Sequence, residues 1–241
     1  MAVLTSKAIV LSALKYSESS LIVKCYTEKL GVKTYLIRGV LKNKKGPIKA
    51  AYFQPLTQLT LEANHKQKSN LHSLKEVHIS HPYKSIHTDI VKQSIVLFLS
   101  EILSSSIQEE EENTVLFEYL ETAFLWLDAH DKIANFHLLF LLNLTRFLGF
   151  YPDLVDQETA TSFNLAEGSF SNEFTDKNSI VKTNLALFKT LLGINFDKIE
   201  EVLFSKQERQ ALLQIIIRYF ELHLDGFRKP KSLTILETVF S

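Results

Sequence analysis

The apolar pattern of this 241-residue chain changes period once, near His81-Pro82, and that change limits the folds open to it. Before it, β-branched and aromatic residues fall in short runs set off by turn residues, as in strands. After it, apolar residues recur at spacings of three and four, as in helices with one buried face. A strand-built part followed by a helix-built part is therefore expected, an α+β class with a boundary near residue 80.

Five strands are predicted in residues 1–79: Ser6 to Leu14, Leu21 to Tyr26, Val32 to Ile37, Leu56 to Glu62 and Leu71 to Ile79. Thr27-Glu28-Lys29-Leu30-Gly31 links the second and third as a hairpin, with Gly31 able to take the positive φ that such loops often require. Gly46-Pro47 breaks the chain before the fourth. Five short strands suit a small closed barrel, because closure removes the exposed edges that an open sheet must protect. An oligonucleotide-binding (OB) fold is the first expectation, and an SH3-like barrel is the alternative.

Residues 80–241 read as a helical domain. Ile90, Ile95, Leu97, Phe98, Ile102 and Leu103 make one helix, and Leu116, Phe117, Leu120, Phe124, Leu125 and Leu127 make a second after an Asn113 cap. Asp131 is expected to cap a third, which is apolar nearly all round and ends at Gly149 with Pro152 beyond. Asn135, His137, Asn143, Thr145 and Arg146 interrupt it, so it falls well short of the roughly 20 apolar residues needed to span a bilayer. Residues 151–180 are polar and read as an irregular insert. A short helix around Asn184 to Leu192 follows, and Ser205-Lys206-Gln207-Glu208 has the spacing of a capping box for a helix closed by Gly226. The acid run Glu109 to Glu112 reads as a solvated loop before the second helix, where its charge favours the helix N-terminus.

A net charge of zero conceals a division. Residues 1–80 hold 13 Lys and Arg against Glu18, Glu28, Glu62 and Glu76, a net of +9, and the remainder carries −9. The stretch from Arg38 to Lys49 contains Arg38, Lys42, Lys44, Lys45 and Lys49 and no acid. Cations in a loop beside a barrel strand can grip phosphates, while Tyr35, Tyr52 or Phe53 can offer faces for bases. Those five cations are the predicted nucleic-acid-binding residues. The alternative is a protein-interaction adaptor whose basic barrel docks an acidic protein.

Enzyme signatures are missing: there is no Walker-type loop, no G-x-S-x-G elbow, no Rossmann fingerprint and no H-E-x-x-H helix. Cys25 is the single cysteine, which leaves no intrachain disulfide or thiolate zinc cluster, and its strand pattern makes it a small core residue. His65, His72, His78, His81 and His87 cluster near the domain junction without acids at ligand spacing, so packing is expected there and no metal or other cofactor. The first ten residues lack a cationic start with a long apolar stretch, so no secretory signal is visible and a cytoplasmic location is expected.

Several segments resemble the recombination mediator RecO family. Ala8-Ile9-Val10-Leu11 and Tyr16-Ser17-Glu18-Ser19-Ser20-Leu21 resemble its opening strand and Y-S-E-x-S turn, and Tyr26-Thr27-Glu28 with Gly31 its T-E-x-x-G hairpin. Arg38-Gly39 with the following lysines is similar to its basic loop, and Phe53-Gln54-Pro55-Leu56 to its L-Q-P element. Leu148-Gly149-Phe150-Tyr151-Pro152-Asp153-Leu154 resembles the end of its central helix. His223-Leu224 through Lys231-Ser232 resembles its C-terminal segment. The matches run in the family's order over nearly the whole chain.

The resemblance implies an N-terminal OB fold, a helical C-terminal part, and a non-enzymatic mediator that binds single- and double-stranded DNA and anneals strands. It also implies partnership with RecR and with the C-terminal tail of single-stranded-DNA-binding protein during RecA loading. At the start of the central helix, where some members present arginines to the tail, Ala134 and Asn135 stand here and Lys132 is the nearest cation; Lys132 and Arg146 are the candidate tail contacts. Residues 154–180 hold none of the four cysteines that form a zinc module in many members.

Overall fold

The computed structural model describes residues 2–43, 46–65, 69–173 and 177–240. They form two compact units, residues 1–129 with 230–232 and residues 130–229 with 233–241.

The first unit is built on β1 (Ala2–Lys15), β2 (Leu21–Thr27), β3 (Gly31–Ile37), β4 (Gln58–His65) and β5 (Leu71–Ile79). They close into a barrel in the order β1-β2-β3-β5-β4. β1 runs antiparallel to both β2 and β4, and β3 runs parallel to β5. This is the OB architecture rather than the SH3-like alternative. β1 serves two neighbours, and its register shifts between Val10 and Ser12, a bulge that bends the strand. Ile9 consequently faces Tyr26 on one edge and Gln58 on the other.

Alternation along the strands sends Ala8, Val10, Val23, Cys25, Tyr35, Leu59, Leu61 and Ala63 into the barrel core. Burial pushes the Cys25 thiol up to about 12, as befits an inert core residue. The histidines divide between packing roles. The rings of His65 and His72 lie 4.6 Å apart beside Tyr35, while His81, Tyr83 and His87 form an edge-on aromatic series after β5. Among the described residues, no group of three or more His, Cys, Asp or Glu is placed to hold a metal ion.

The change of period at residue 80 ends the barrel but not the compact unit, because α1 (Ile90–Ser106) and α2 (Thr114–Ala129) belong with the barrel. Asp89 caps α1 through the Val91 and Lys92 amides, and Asn113 caps α2 through the Leu116 amide, as its sequence suggests. Asp128, near the end of α2, binds the linker from β5. Its carboxylate accepts from the backbone amides of Lys84, Ser85 and Ile86 at 2.8–3.0 Å, and buried Lys92 donates to the Asp128 carbonyl at 3.1 Å. Burial pushes the Asp128 carboxyl pKa up, but these hydrogen bonds outweigh it and hold the group below its ordinary value.

The acid run is more than a solvated loop. The four side chains stay exposed, but the backbone lies against the β2–β3 turn, where the Val32 amide donates to the Glu109 carbonyl at 2.9 Å. Lys33 pairs with Glu110 at 2.5 Å, and Tyr26 donates to the Asn113 carbonyl at 3.2 Å. Gly31 permits this approach. Its φ is +60°, and a Cβ there would sit 2.6 Å from the Glu111 carbonyl oxygen.

In the second unit the third helix, α3 (Phe136–Phe147), is buried along nearly its whole length, as its all-round apolar pattern predicts. Its start differs from expectation. The chain turns through Asp131 to Asn135 before the helix begins, so Asn135 occupies the cap position, without a side-chain cap bond. The segment read as irregular contains a three-stranded antiparallel sheet of β6 (Ser162–Asn164), β7 (Ser169–Ser171) and β8 (Ser179–Val181), in the order β7-β6-β8. Three-residue strands are too short to show a period, but Phe163 anchors them, 4.8 Å from the Phe170 ring and 4.9 Å from Phe188. The α4 helix (Lys182–Leu192) and α5 (Lys206–His223) follow, the latter opened by the Ser205–Glu208 capping box, and α6 (Leu233–Val239) ends the unit. Among the described residues, no helix is long and apolar enough to cross a membrane.

Four outcomes test this account. Asp128→Ala leaves the Lys84, Ser85 and Ile86 amides without their acceptor, and should lower the unfolding free energy by about 3 kcal/mol in urea titrations. For Asp128→Asn the deficit should be full at neutral pH and shrink as pH falls below 3.8, because a depressed carboxylate stabilises only while ionised. Gly31→Ala should cost more than about 1 kcal/mol through its φ and the approach of Glu111. His137 on α3 has its pKa pushed down to about 3 by burial and by Arg209. Protonation therefore favours the unfolded chain, so the second unit should hold full stability above pH 6.5 and lose it steadily towards pH 3, a slope that His137→Gln flattens.

Candidate nucleic-acid interface

The register of β2 decides what gathers at one end of the barrel. Leu21 pairs with Lys15 of β1 and with Ile37 of β3, so the β1–β2 turn and the chain leaving β3 emerge side by side. Residues 38–49 form that second segment, the basic loop. Gly39, with φ +74°, reverses the chain, and its carbonyl accepts from the Lys42 and Asn43 amides at 3.1 and 2.9 Å. The loop is then tied to the turn by the Leu41 amide, which donates to the Ser19 carbonyl at 3.0 Å.

Apolar and cationic residues have separate tasks in this loop. Val40 is buried in the barrel's core cluster, and Leu41, Ile48 and Ala50 pack against it. Arg38, Lys42 and Lys49 stay exposed. Lys44 and Lys45 lie outside the described residues. Three of the five predicted DNA-binding cations are thus presented on one anchored loop.

Several charges elsewhere in this unit are compensated. Residues 1–129 carry 15 Lys and Arg against 13 Asp and Glu, so the acids of the helical part of the unit nearly balance the barrel's excess. Lys7 pairs with Glu121 at 3.0 Å, Lys33 with Glu110 at 2.5 Å and Lys75 with Glu62 at 3.4 Å. Lys24 donates to the Ser104 carbonyl at 2.6 Å, and burial lowers its pKa. Among the described residues, neither Arg38 nor Lys49 forms an ion pair. Lys42 meets Glu18 of the turn at 3.0 Å, but both side chains are mostly exposed and such a pair contributes little.

Beside the loop the barrel wall is incomplete. β3 and β5 pair only at Thr34–Leu71 and Tyr35–His72, and past that seam lies an open cleft of about 590 Å³ bordered by Arg38, Val40, Asn43, Pro47, Ser73 and Leu74.

The aromatic residues expected to face bases are placed differently. Tyr35 and Phe53 are core residues, and Tyr52 is half-buried against the same cluster. Strand alternation turns Tyr35 inward, while Phe53 is buried in a short 3-10 turn. An aromatic that sequence reasoning passed over, Tyr16, stands out from the β1–β2 turn with 64% of its surface exposed. The signal was its setting, an aromatic in an otherwise polar turn.

In the second unit, Lys132 is exposed in the turn before α3, and Arg146 lies in that helix's last turn. The helical rise from Phe136 to Arg146 is itself about 15 Å, so the two cations stand at opposite ends of α3 rather than in one cluster. Arg146 is engaged locally, donating to the Tyr151 hydroxyl at 2.7 Å and lying 3.9 Å from that ring's centre.

Comparison with known proteins agrees with this architecture. Residues 1–83 match the family model for the N-terminal part of recombination protein O, and residues 87–233 match that for its C-terminal part. A DNA repair protein RecO from Flavobacterium psychrophilum is 51% identical, with 98% of each chain aligned. RecO proteins of Flavobacterium johnsoniae and Bacteroides fragilis are 49% and 37% identical, again over at least 96% of each chain. With both halves matched and relatives of this similarity aligned almost end to end, the chain belongs to the RecO family of DNA repair proteins.

Proposed function

We propose that this chain is a non-enzymatic recombination mediator. It binds single- and double-stranded DNA, promotes strand annealing, and helps load RecA on DNA coated with single-stranded-DNA-binding protein, together with RecR. The observation that carries the DNA-binding part is the basic loop: Arg38, Lys42 and Lys49 exposed on a backbone pinned by Val40 and Ile48, while Lys7 and Lys33 elsewhere on the barrel have carboxylate partners. Lys44 and Lys45 add their charge to the same loop. A preorganised set of cations attracts phosphates without regard to sequence, because each neutralised phosphate releases condensed counterions. The rest of the chain serves as scaffold, and the second unit is the proposed docking place for RecR and for the acidic, phenylalanine-ended tail. Lys132 and Arg146 are separate candidate contacts for that tail, given their positions at opposite ends of α3.

Fluorescence titration with labelled oligonucleotides tests the first part. With three or four phosphates neutralised, log affinity for a single strand should fall with log salt at a slope of roughly −2 to −3, with little dependence on base sequence. Replacing Lys42, Lys44 and Lys45 together by alanine should weaken binding across all sequences and flatten the slope by about two, since each lost contact removes about 0.7. Thermal stability should be unchanged, because exposed charges contribute little to it. A folded triple variant with wild-type affinity and slope moves the DNA surface elsewhere, and failure of the wild-type protein to bind any oligonucleotide favours the adaptor reading. For the tail, a labelled peptide should bind and lose affinity without its terminal phenylalanine, with Lys132→Ala and Arg146→Ala tested singly.

A further inference from the structure

Tyr16 is, among the described residues, the one Phe, Tyr or Trp whose side chain is mostly exposed. Tyrosines elsewhere serve the fold: Tyr26, Tyr83 and Tyr219 donate to the carbonyls of Asn113, Leu56 and Phe150. Among the described residues, the Tyr16 ring makes no aromatic contact and its hydroxyl no hydrogen bond. Leu14, two residues earlier, is equally exposed at 65%. Aromatic and aliphatic surface left in water at a hairpin tip does nothing for the barrel core.

The backbone beneath it is fixed. The Tyr16 amide donates to the Ser20 carbonyl at 2.9 Å, closing the turn, and the Ser19 carbonyl accepts from Leu41 of the basic loop. Two residues beyond Tyr16, Glu18 holds Lys42 at 3.0 Å. One hydrogen-bonded assembly therefore presents an exposed aromatic face together with the cations of the basic loop. Cations alone fit any polyanion, whereas cations next to an exposed ring fit a polyanion that carries flat π-faces along its backbone, which is unpaired nucleic acid.

We infer that Tyr16 is a stacking platform for an unpaired base of single-stranded DNA whose phosphates lie on the basic loop. The inference rests on the DNA-binding reading above and adds strand selectivity to it. Charge recognises single and double strands alike, but a base is free to stack only where it is unpaired. The phosphate entering beside Lys42 competes with the Glu18 carboxylate, which is exposed and free to swing away.

The test compares Tyr16→Ala, Tyr16→Leu and Tyr16→Phe, each first shown to melt with the wild-type protein, on a single strand, on a duplex of the same sequence, and on an abasic single strand. Tyr16→Ala and Tyr16→Leu should each weaken single-strand binding by roughly 5- to 100-fold, Leu failing because it supplies apolar area without a π-face. Tyr16→Phe should bind like the wild type. Duplex affinity, abasic-strand affinity and the salt slope should not move. This separates the two readings: the triple lysine variant changes the slope on both strand types, and Tyr16→Ala changes affinity on one at constant slope. Wild-type single-strand affinity in Tyr16→Ala would overturn the platform and leave the loop standing, and so would equal losses on single strand and duplex. If Tyr16→Ala instead kept oligonucleotide binding and lost binding to RecR, the exposed ring would be a protein contact and the inference would fail.

Discussion

The barrel depends on a single strand pairing along both of its edges. β1 pairs with β4 through its first half and with β2 through its second, and the bulge between Val10 and Ser12 bends it between the two, so that the sheet closes and leaves no open edge. Its closure propagates to the strand that β1 aligns. With β2 in register against Lys15 at one end and Ala8 at the other, the β2–β3 hairpin has two chemically distinct ends. One lies at Leu21 and Ile37, where the β1–β2 turn and basic loop emerge. The other lies at Gly31, where the acidic strap Glu109 to Glu112 docks.

That arrangement converts a sequence-level charge division into a spatial one. The acids that follow the barrel in sequence return to it in space and pair with Lys7 and Lys33, while Arg38, Lys49 and the weakly paired Lys42 gather on the basic loop. Coulomb attraction in water fades over roughly 8 to 10 Å at ordinary salt, so locally uncompensated charge matters more than a domain total. The barrel's excess of cations is therefore felt mainly at the loop end. The loop can present them because its apolar residues are spent on anchoring, which lowers the conformational entropy lost when a flexible backbone binds a strand.

The second unit solves a different problem. Residues 151–180 have no cysteines to clamp them, yet a sheet of nine residues in three strands persists there because Phe163 inserts among Phe170, Phe188 and Tyr219. Here aromatic burial holds together strands too short to be stable alone.

Local pattern determined much of this protein. The five strands, the cap at Asn113, the capping box at Ser205, the buried α3 and the outward cations of the Arg38–Lys49 segment all follow from periodicity, turn chemistry and composition, because each depends on neighbours within a few residues. What the tertiary structure decided involves contacts between distant segments. Among these are the docking of the Glu109–Glu112 backbone on Gly31, the union of α1 and α2 with the barrel through Asp128, and the sheet around Phe163. Tyr35 and Tyr16 show the distinction most plainly. Both are tyrosines near the basic loop in the folded chain, and composition treats them alike. Tyr35 sits on a strand whose alternation turns it into a closed barrel, while Tyr16 sits on a turn that closure leaves outside, and only the long-range register that closes the barrel assigns one ring to the core and the other to water.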